Sequence, residues 1–210
     1  MNKEIAKTGT TTMVIVCKDG IVLAADHRVT AGYIANKRTR KIQIVSEDMA
    51  VTTAGVVSDI QLMAKLIRAE TKLKNLQTYR AATVKEVANL SAGLLYNNIR
   101  KMSMIPGIAS FLLGGRDADG FHAYSLEPDG AVLEIDDYNA DGSGMMFATG
   151  VLEAQYKKGL SVEEGVSLAE KAIRAAIERD PSSGNGYDVV TITVKGLQFV
   201  IERDLELKAV

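Results

Sequence analysis

The sequence predicts an α+β fold in which antiparallel sheets carry helices on their outer faces. Two observations carry that expectation. Strand pairs joined by tight turns are followed by helix pairs, and this order occurs twice along the chain. Three helix starts also share one local signature, a hydroxyl residue followed three positions later by Glu or Gln.

The first strand pair is Thr11 to Cys17 and Ile21 to Ala25, joined by the turn dipeptide Asp19-Gly20. A polar, basic loop from Ala31 to Arg40 follows. A second hairpin, Ile42 to Val45 and Met49 to Ala54, turns at Glu47-Asp48 and ends at Gly55. Ser58 with Gln61, Thr83 with Glu86, and Ser161 with Glu164 have the spacing of a capping box. In that motif two side chains satisfy backbone N–H groups that the first helical turn leaves unpaired. The helix from Ser58 to about Leu76 is apolar on two sides. Ile60, Met63, Ala64 and Ile67 share one face; Leu62, Leu66, Ala69 and Leu73 share the opposite one. Such a helix is expected to touch its own sheet and a second helix or subunit.

The second helix is expected over Val84 to Lys101. Strands follow at Ser110 to Leu113, Phe121 to Leu126 and Ala131 to Asp136, with Asp129-Gly130 as a turn. Helices at Met145 to Lys158 and Val162 to Arg179 come next. The loop Pro181 to Gly186 leads to strands Asp188 to Val194 and Gln198 to Glu202. No linker or low-complexity stretch interrupts this order, so one domain is expected.

Composition narrows the chemistry. A formal net charge of −1 leaves no overall field to recruit nucleic acid or an anionic membrane. The longest apolar runs, Met13 to Cys17 and Ile21 to Ala25, fall far short of the roughly 20 residues a membrane helix needs. The first nine residues are too short and polar for a secretory signal. A single cysteine, Cys17, suits a reducing cytoplasm. Together with only two histidines, His27 and His122, it cannot furnish a Cys-rich zinc site. If the chain is a hydrolase, its base is an amine or a carboxylate.

The candidate site residues each admit two readings. Gly9-Thr10-Thr11-Thr12 is either the start of a strand, which threonine favours, or a cleavage junction. Cleavage after Gly9 would give Thr10 a free α-amine to act as base for its own hydroxyl. Such an amine has an unperturbed pKa of about 8, close to working pH. Asp26, in Ala24-Ala25-Asp26-His27-Arg28, either closes a strand beside Arg28 or serves the site. Lys41, after Asn36-Lys37-Arg38-Thr39-Arg40, belongs either to a solvated basic loop or to the chemistry. Gly55 is a turn glycine or an oxyanion donor through its N–H. Ser143, in Asp141-Gly142-Ser143-Gly144, is a helix-cap residue or a site residue. Asp180 and Ser183 form a helix exit and turn, or join the site. Cys17 and the methionines of Lys101 to Met104 and Met145-Met146 read as packing.

Taken in order, these segments resemble the catalytic β-type subunit of the archaeal 20S proteasome over essentially the whole chain. The match runs through Gly9, Thr10-Thr11-Thr12, Ala25-Asp26-His27-Arg28, Lys41, Ala54-Gly55, Gly142-Ser143-Gly144, Gly150-Val151-Leu152-Glu153, Arg179-Asp180 and Ser183-Gly184. The resemblance implies the N-terminal-nucleophile hydrolase fold, a four-layer αββα sandwich of two antiparallel sheets between helix layers. It implies a prosegment, residues 1–9, cut autocatalytically from a single catalytic domain, residues 10–210. Thr10 would be the nucleophile. Lys41, oriented by Asp26, would lower the pKa there, while Ser143, Asp180 and Ser183 would hold the freed amine. Gly55 would donate to the oxyanion, and the resemblance implies no metal or organic cofactor. The pocket for the substrate side chain would be lined by Val29, Thr39, Thr53 and Val57, with Thr53 where a larger apolar residue is often found. The implied partners are other β subunits in stacked seven-membered rings, α-type subunits, a regulatory ATPase acting indirectly, and unfolded polypeptide as substrate, all in the cytoplasm. Neither nucleic acid nor membrane is expected. The simpler bacterial ATPase-partnered protease also starts with Thr, but its subunits are shorter and lack a comparable prosegment. A non-catalytic ring subunit commonly loses the threonine, the lysine or the Gly-Thr junction, all of which this sequence keeps.

Overall fold

The computed structural model describes residues 9–205. Residues 1–8 of the expected prosegment and residues 206–210 lie outside that range. The chain opens with β1 (Thr12–Cys17), β2 (Gly20–Asp26), the short pair β3 (Val29–Thr30) and β4 (Ile34–Asn36), then β5 (Ile42–Ser46) and β6 (Met49–Gly55). Two helices follow, α1 (Val57–Thr78) and α2 (Val84–Arg100). Next come β7 (Ala109–Asp117), β8 (Gly120–Leu126), β9 (Val132–Ile135) and β10 (Tyr138–Asp141). The order ends with α3 (Met145–Gln155), α4 (Val162–Arg179), β11 (Gly186–Thr193) and β12 (Gly196–Asp204).

Two five-stranded antiparallel sheets result, one ordered β10-β1-β2-β11-β12 and the other β5-β6-β7-β8-β9. Three apolar clusters define four layers. Met13, Ile15, Val22 and Ala24 pack against Leu152 of α3 and Leu168, Ala172 and Ile173 of α4. Val51, Phe111 and Leu113 pack against Met63 and Ile67 of α1 and Val87 and Leu95 of α2. Between the sheets lie Val14, Ile21 and Leu23 facing Ala50, Leu112 and Ala123. Alternate residues of one strand therefore serve different clusters, Met13 and Ile15 outward and Val14 inward. Burial on both faces is why Met13 to Cys17 and Ile21 to Ala25 read as unbroken apolar runs. The expected αββα sandwich is the observed one.

Several local expectations are corrected. Thr83–Glu86 and Ser161–Glu164 form both halves of their capping boxes. Ser58–Gln61 does not: α1 begins at Val57, with Val56 as an N-cap that lacks a side-chain bond. Ser58 already lies inside the first turn, and Asp59 instead accepts the N–H of Ile108 at 3.0 Å. Helix α3 stops at Gln155 rather than Lys158, because Tyr156 turns to an extended backbone. The basic loop contains β4, which pairs with β3 just before the loop, and β10 forms on the edge of β1; none of these strands was expected. Helix α1 buries Met63, Ala64, Ile67 and Thr71; of its second apolar face, Leu66 packs partly buried against the same cluster, while Leu62 and Leu73 stay exposed. Met102, Met104, Met145 and Met146 are also exposed, contrary to the packing read for them. No helix among the described residues is long and apolar enough to cross a membrane.

Cys17 does pack. Its side chain sits against Gly165 of α4, where an added Cβ would lie 2.6 Å from the sulfur. Burial first, and the charges of Asp19 and Glu164 second, push its thiol up to about 12. The thiolate is the reactive species. Native protein is therefore expected to resist iodoacetamide at about pH 8 and to be labelled only after unfolding. Mass spectrometry reads this directly, and native labelling at the unfolded rate would contradict it.

Candidate active site

The site forms where strand ends from the two sheets meet. Asp26 closes β2, beside the segment that leads into β1; its N–H donates to the Thr11 carbonyl at 3.1 Å. Lys41 stands just before β5 on the opposite sheet and reaches across, its Nζ 2.6 Å from Asp26 Oδ1. Both side chains are buried. A buried ion pair is tolerable only when its remaining hydrogen-bonding capacity is filled. Here it is: Asp26 Oδ1 also accepts Thr11 N–H at 2.9 Å, and Oδ2 accepts the N–H groups of Arg28 and Gly184. Burial pushes the Lys41 ammonium below the usual lysine range, a shift that the charge of Asp26 opposes.

The Gly9–Thr10 peptide lies directly over this pair. Lys41 Nζ donates to the Gly9 carbonyl oxygen at 3.1 Å, and Thr10 Oγ1 donates to the same oxygen at 2.7 Å. On the other side, Thr10 N–H donates to Ser143 Oγ at 3.1 Å. Ser143 and Ser183 each donate to Asp180 Oδ2 at 2.6 Å, and Thr11 Oγ1 meets Ser183 Oγ at 2.8 Å. Asp180 is the C-cap of α4, and Ser143 lies in the turn between β10 and α3. The fold thus gathers residues from four separate stretches of chain around one threonine.

Glycine is required here for lack of room. A Cβ on Gly9 would collide with Ser182, one on Gly142 with the Thr10 carbonyl, and one on Gly144 with Thr11 Oγ1. At Gly9 it is this close approach to Ser182 that calls for glycine.

A cavity of about 340 Å³ opens beside Thr10, and Gly55, Val29, Thr39, Thr53 and Val57 line it. Gly55 has φ 122°, a value that favours glycine. Among the described residues no cluster of His, Cys, Asp and Glu is arranged to hold a metal ion.

A family profile described as "Proteasome subunit" matches residues 6–192. The chain belongs to the proteasome subunit family. Archaeal relatives bear the name "Proteasome subunit beta". The one from Ferroglobus placidus is 46% identical over 188 residues, covering 89% of this chain and 88% of that protein. The one from Archaeoglobus fulgidus is 42% identical, covering 92% and 89%. The one from Methanopyrus kandleri is 38% identical, covering 94% of each. As a member of this proteasome family the chain is a protease component and assembles with other proteasome subunits.

The proteasome-family site also contains residues that sequence reasoning missed. Gln43, Ile60, Gln61, Ala64, Lys65 and Arg68 share the cavity. A signal for them existed. Gln43 lies two residues past Lys41, and so on the same strand face. Ile60, Gln61, Ala64 and Arg68 follow Val57 at helical spacing on one stripe of α1. Arg28, whose guanidinium bonds Asn185 Oδ1 and the Pro181 carbonyl, braces the turn carrying Ser183. No sequence pattern marked that role.

Proposed function

We propose that this chain is the catalytic β subunit of the 20S proteasome core particle and a threonine endopeptidase, made as a precursor and activated by cutting its own Gly9–Thr10 bond. One observation carries the reading: Thr10 Oγ1 and Lys41 Nζ converge on the carbonyl oxygen of Gly9. The reaction follows from that arrangement. Thr10 Oγ attacks the Gly9 carbonyl carbon and passes its proton into the Lys41–Asp26 pair. The C–N bond then breaks, the Thr10 nitrogen takes up a proton, and Gly9 is left as an ester on Oγ. Water hydrolyses that ester, releasing residues 1–9 as a carboxylate and leaving residues 10–210 with a free α-amine.

The same groups then serve turnover. The α-amine of Thr10, with an ordinary pKa of about 8, takes the hydroxyl proton as Oγ attacks a substrate carbonyl. Ser143, Asp180 and Ser183 hold the amine and its water, and the Gly55 N–H stabilises the tetrahedral oxyanion. The substrate side chain enters the cavity bounded by Val29, Thr39, Thr53 and Val57. With Thr53, Gln43 and Gln61 in its wall, that cavity suits polar as well as apolar side chains. The substrate is unfolded polypeptide, delivered indirectly by a regulatory ATPase in the cytoplasm. The partners are other β subunits in stacked seven-membered rings, capped by α-type subunits. The exposed Leu62, Leu73 and Leu76 of α1, and Met102, Met104 and Ile105 after α2, support such contacts, because apolar clusters this open are usually covered.

The test is intact-mass measurement of the chain before and after assembly with its α-type partner. The expected result is loss of residues 1–9 on assembly, together with the appearance of peptidase activity. A chain that still carries Gly9 in an active particle would sink the proposal.

A further inference from the structure

Thr30, the second residue of β3, takes no part in the chemistry above, yet it makes the one hydrogen bond described for the Gly9 N–H. The Thr30 side-chain Oγ1 accepts that N–H at 2.8 Å, and Thr30 itself is buried. Gly9 is consequently gripped at three points. Its N–H is held by Thr30, its carbonyl oxygen by Lys41 Nζ and Thr10 Oγ1, and its Cα by the wall formed by Ser182.

This grip matters more for glycine than for any other residue. Glycine has the widest range of backbone rotation, so nothing intrinsic to Gly9 fixes the plane of its carbonyl. Attack requires that plane to present one face to Thr10 Oγ within near-attack distance, and small misplacements of a reacting carbonyl are costly. The Lys41 and Thr10 bonds fix only the oxygen end of the peptide group. Rotation about the bonds flanking the Gly9 Cα is arrested by holding the N–H as well. Thr30 supplies that second anchor from an element outside both large sheets.

We propose that Thr30 is a positioning residue for removal of the residues before Thr10. Its hydroxyl clamps the Gly9 N–H and so orients the scissile carbonyl. The inference rests on the reading that the Gly9–Thr10 bond is the one broken. Its consequence is confined to the precursor. Once Gly9 has left, the clamped N–H no longer exists, and it is Val29 rather than Thr30 that lines the cavity beside Thr10.

The test follows Thr30→Val and Thr30→Ser chains assembled with the α-type partner, with intact mass recorded over time. Valine keeps the shape of threonine and removes the acceptor, so release of residues 1–9 is expected to slow by about tenfold. Serine retains the hydroxyl and is expected to process near the wild-type rate. A second pair of chains, produced to begin at Thr10 with and without Thr30→Val, is assayed for peptide hydrolysis. There the substitution is expected to cost less than about threefold, because no Gly9 is present to be held. Processing of Thr30→Val at the wild-type rate overturns the proposal. So does an equal loss in processing and in the peptidase of the chain begun at Thr10, since that would mark Thr30 as a support of the fold. A wild-type chain that keeps Gly9 after assembly overturns the cleavage reading itself, and the role of Thr30 falls with it.

Discussion

Thr10→Ala is expected to give an assembled particle in which Gly9 remains attached and peptide hydrolysis falls by on the order of 10⁴-fold or more. Both losses come from one atom. Thr10 Oγ1 is the hydroxyl that lies on the Gly9 carbonyl, and the same oxygen is the proposed nucleophile toward substrate. Alanine fits the site without strain. It removes a buried hydroxyl whose single described bond is to Gly9, a cost of about 1 kcal/mol, too small to unfold the sandwich. Assembly should therefore survive while chemistry does not. Thr10→Ser separates hydroxyl from methyl: it is expected to process and to hydrolyse peptides at a reduced but measurable rate. Intact mass reads the first loss and a fluorogenic peptide reads the second. Peptidase activity retained by the alanine variant would show that another group is the nucleophile.

Legibility in the sequence followed the range of the interaction. Thr83 with Glu86 and Ser161 with Glu164 were readable because a capping box is closed within four residues. Ser58 with Gln61 carried the same letters and failed, because the entry into α1 is set from far away. Val56 N–H is bonded to the Ile108 carbonyl, and β6 is paired to β7 as far as Gly55. The β10 strand was invisible for a related reason. Tyr-Asn-Ala-Asp has no strand-like pattern, and its ladder exists only because β1 offers a free edge there. For the site, spacing alone could not join Asp26 to Lys41, since they approach from different sheets. What singled them out was the ordered set of motifs shared with a known family. Thr30 escaped even that, because a threonine in a two-residue strand looks like any other threonine. Only its 2.8 Å contact with Gly9 distinguishes it.

Lys41→Ala is expected to lower peptide hydrolysis by roughly 10³-fold and to leave Gly9 uncut. The reasoning is electrostatic. Among the described residues Lys41 is the one ammonium on the Gly9 carbonyl, and burial has already moved it below the ordinary lysine range. Burial therefore makes its proton easier to lose than that of a solvated lysine, while the charge of Asp26 works against the loss. The alanine variant has a second effect to separate, because Asp26 is left as a buried charge with no cation, at a cost of about 3–5 kcal/mol. Lys41→Met combined with Asp26→Asn removes both charges together. That pair is expected to assemble normally and to remain inactive, which isolates the chemistry from the stability loss. Lys41→Arg then distinguishes a proton carrier from a mere counter-ion. Arginine would keep the charge beside Asp26 but holds its proton at every working pH. If Lys41 acts by moving a proton, the arginine variant stays at least about 10²-fold below wild type in both cleavage and turnover. Recovery to within a few-fold would mean that the positive charge alone was needed.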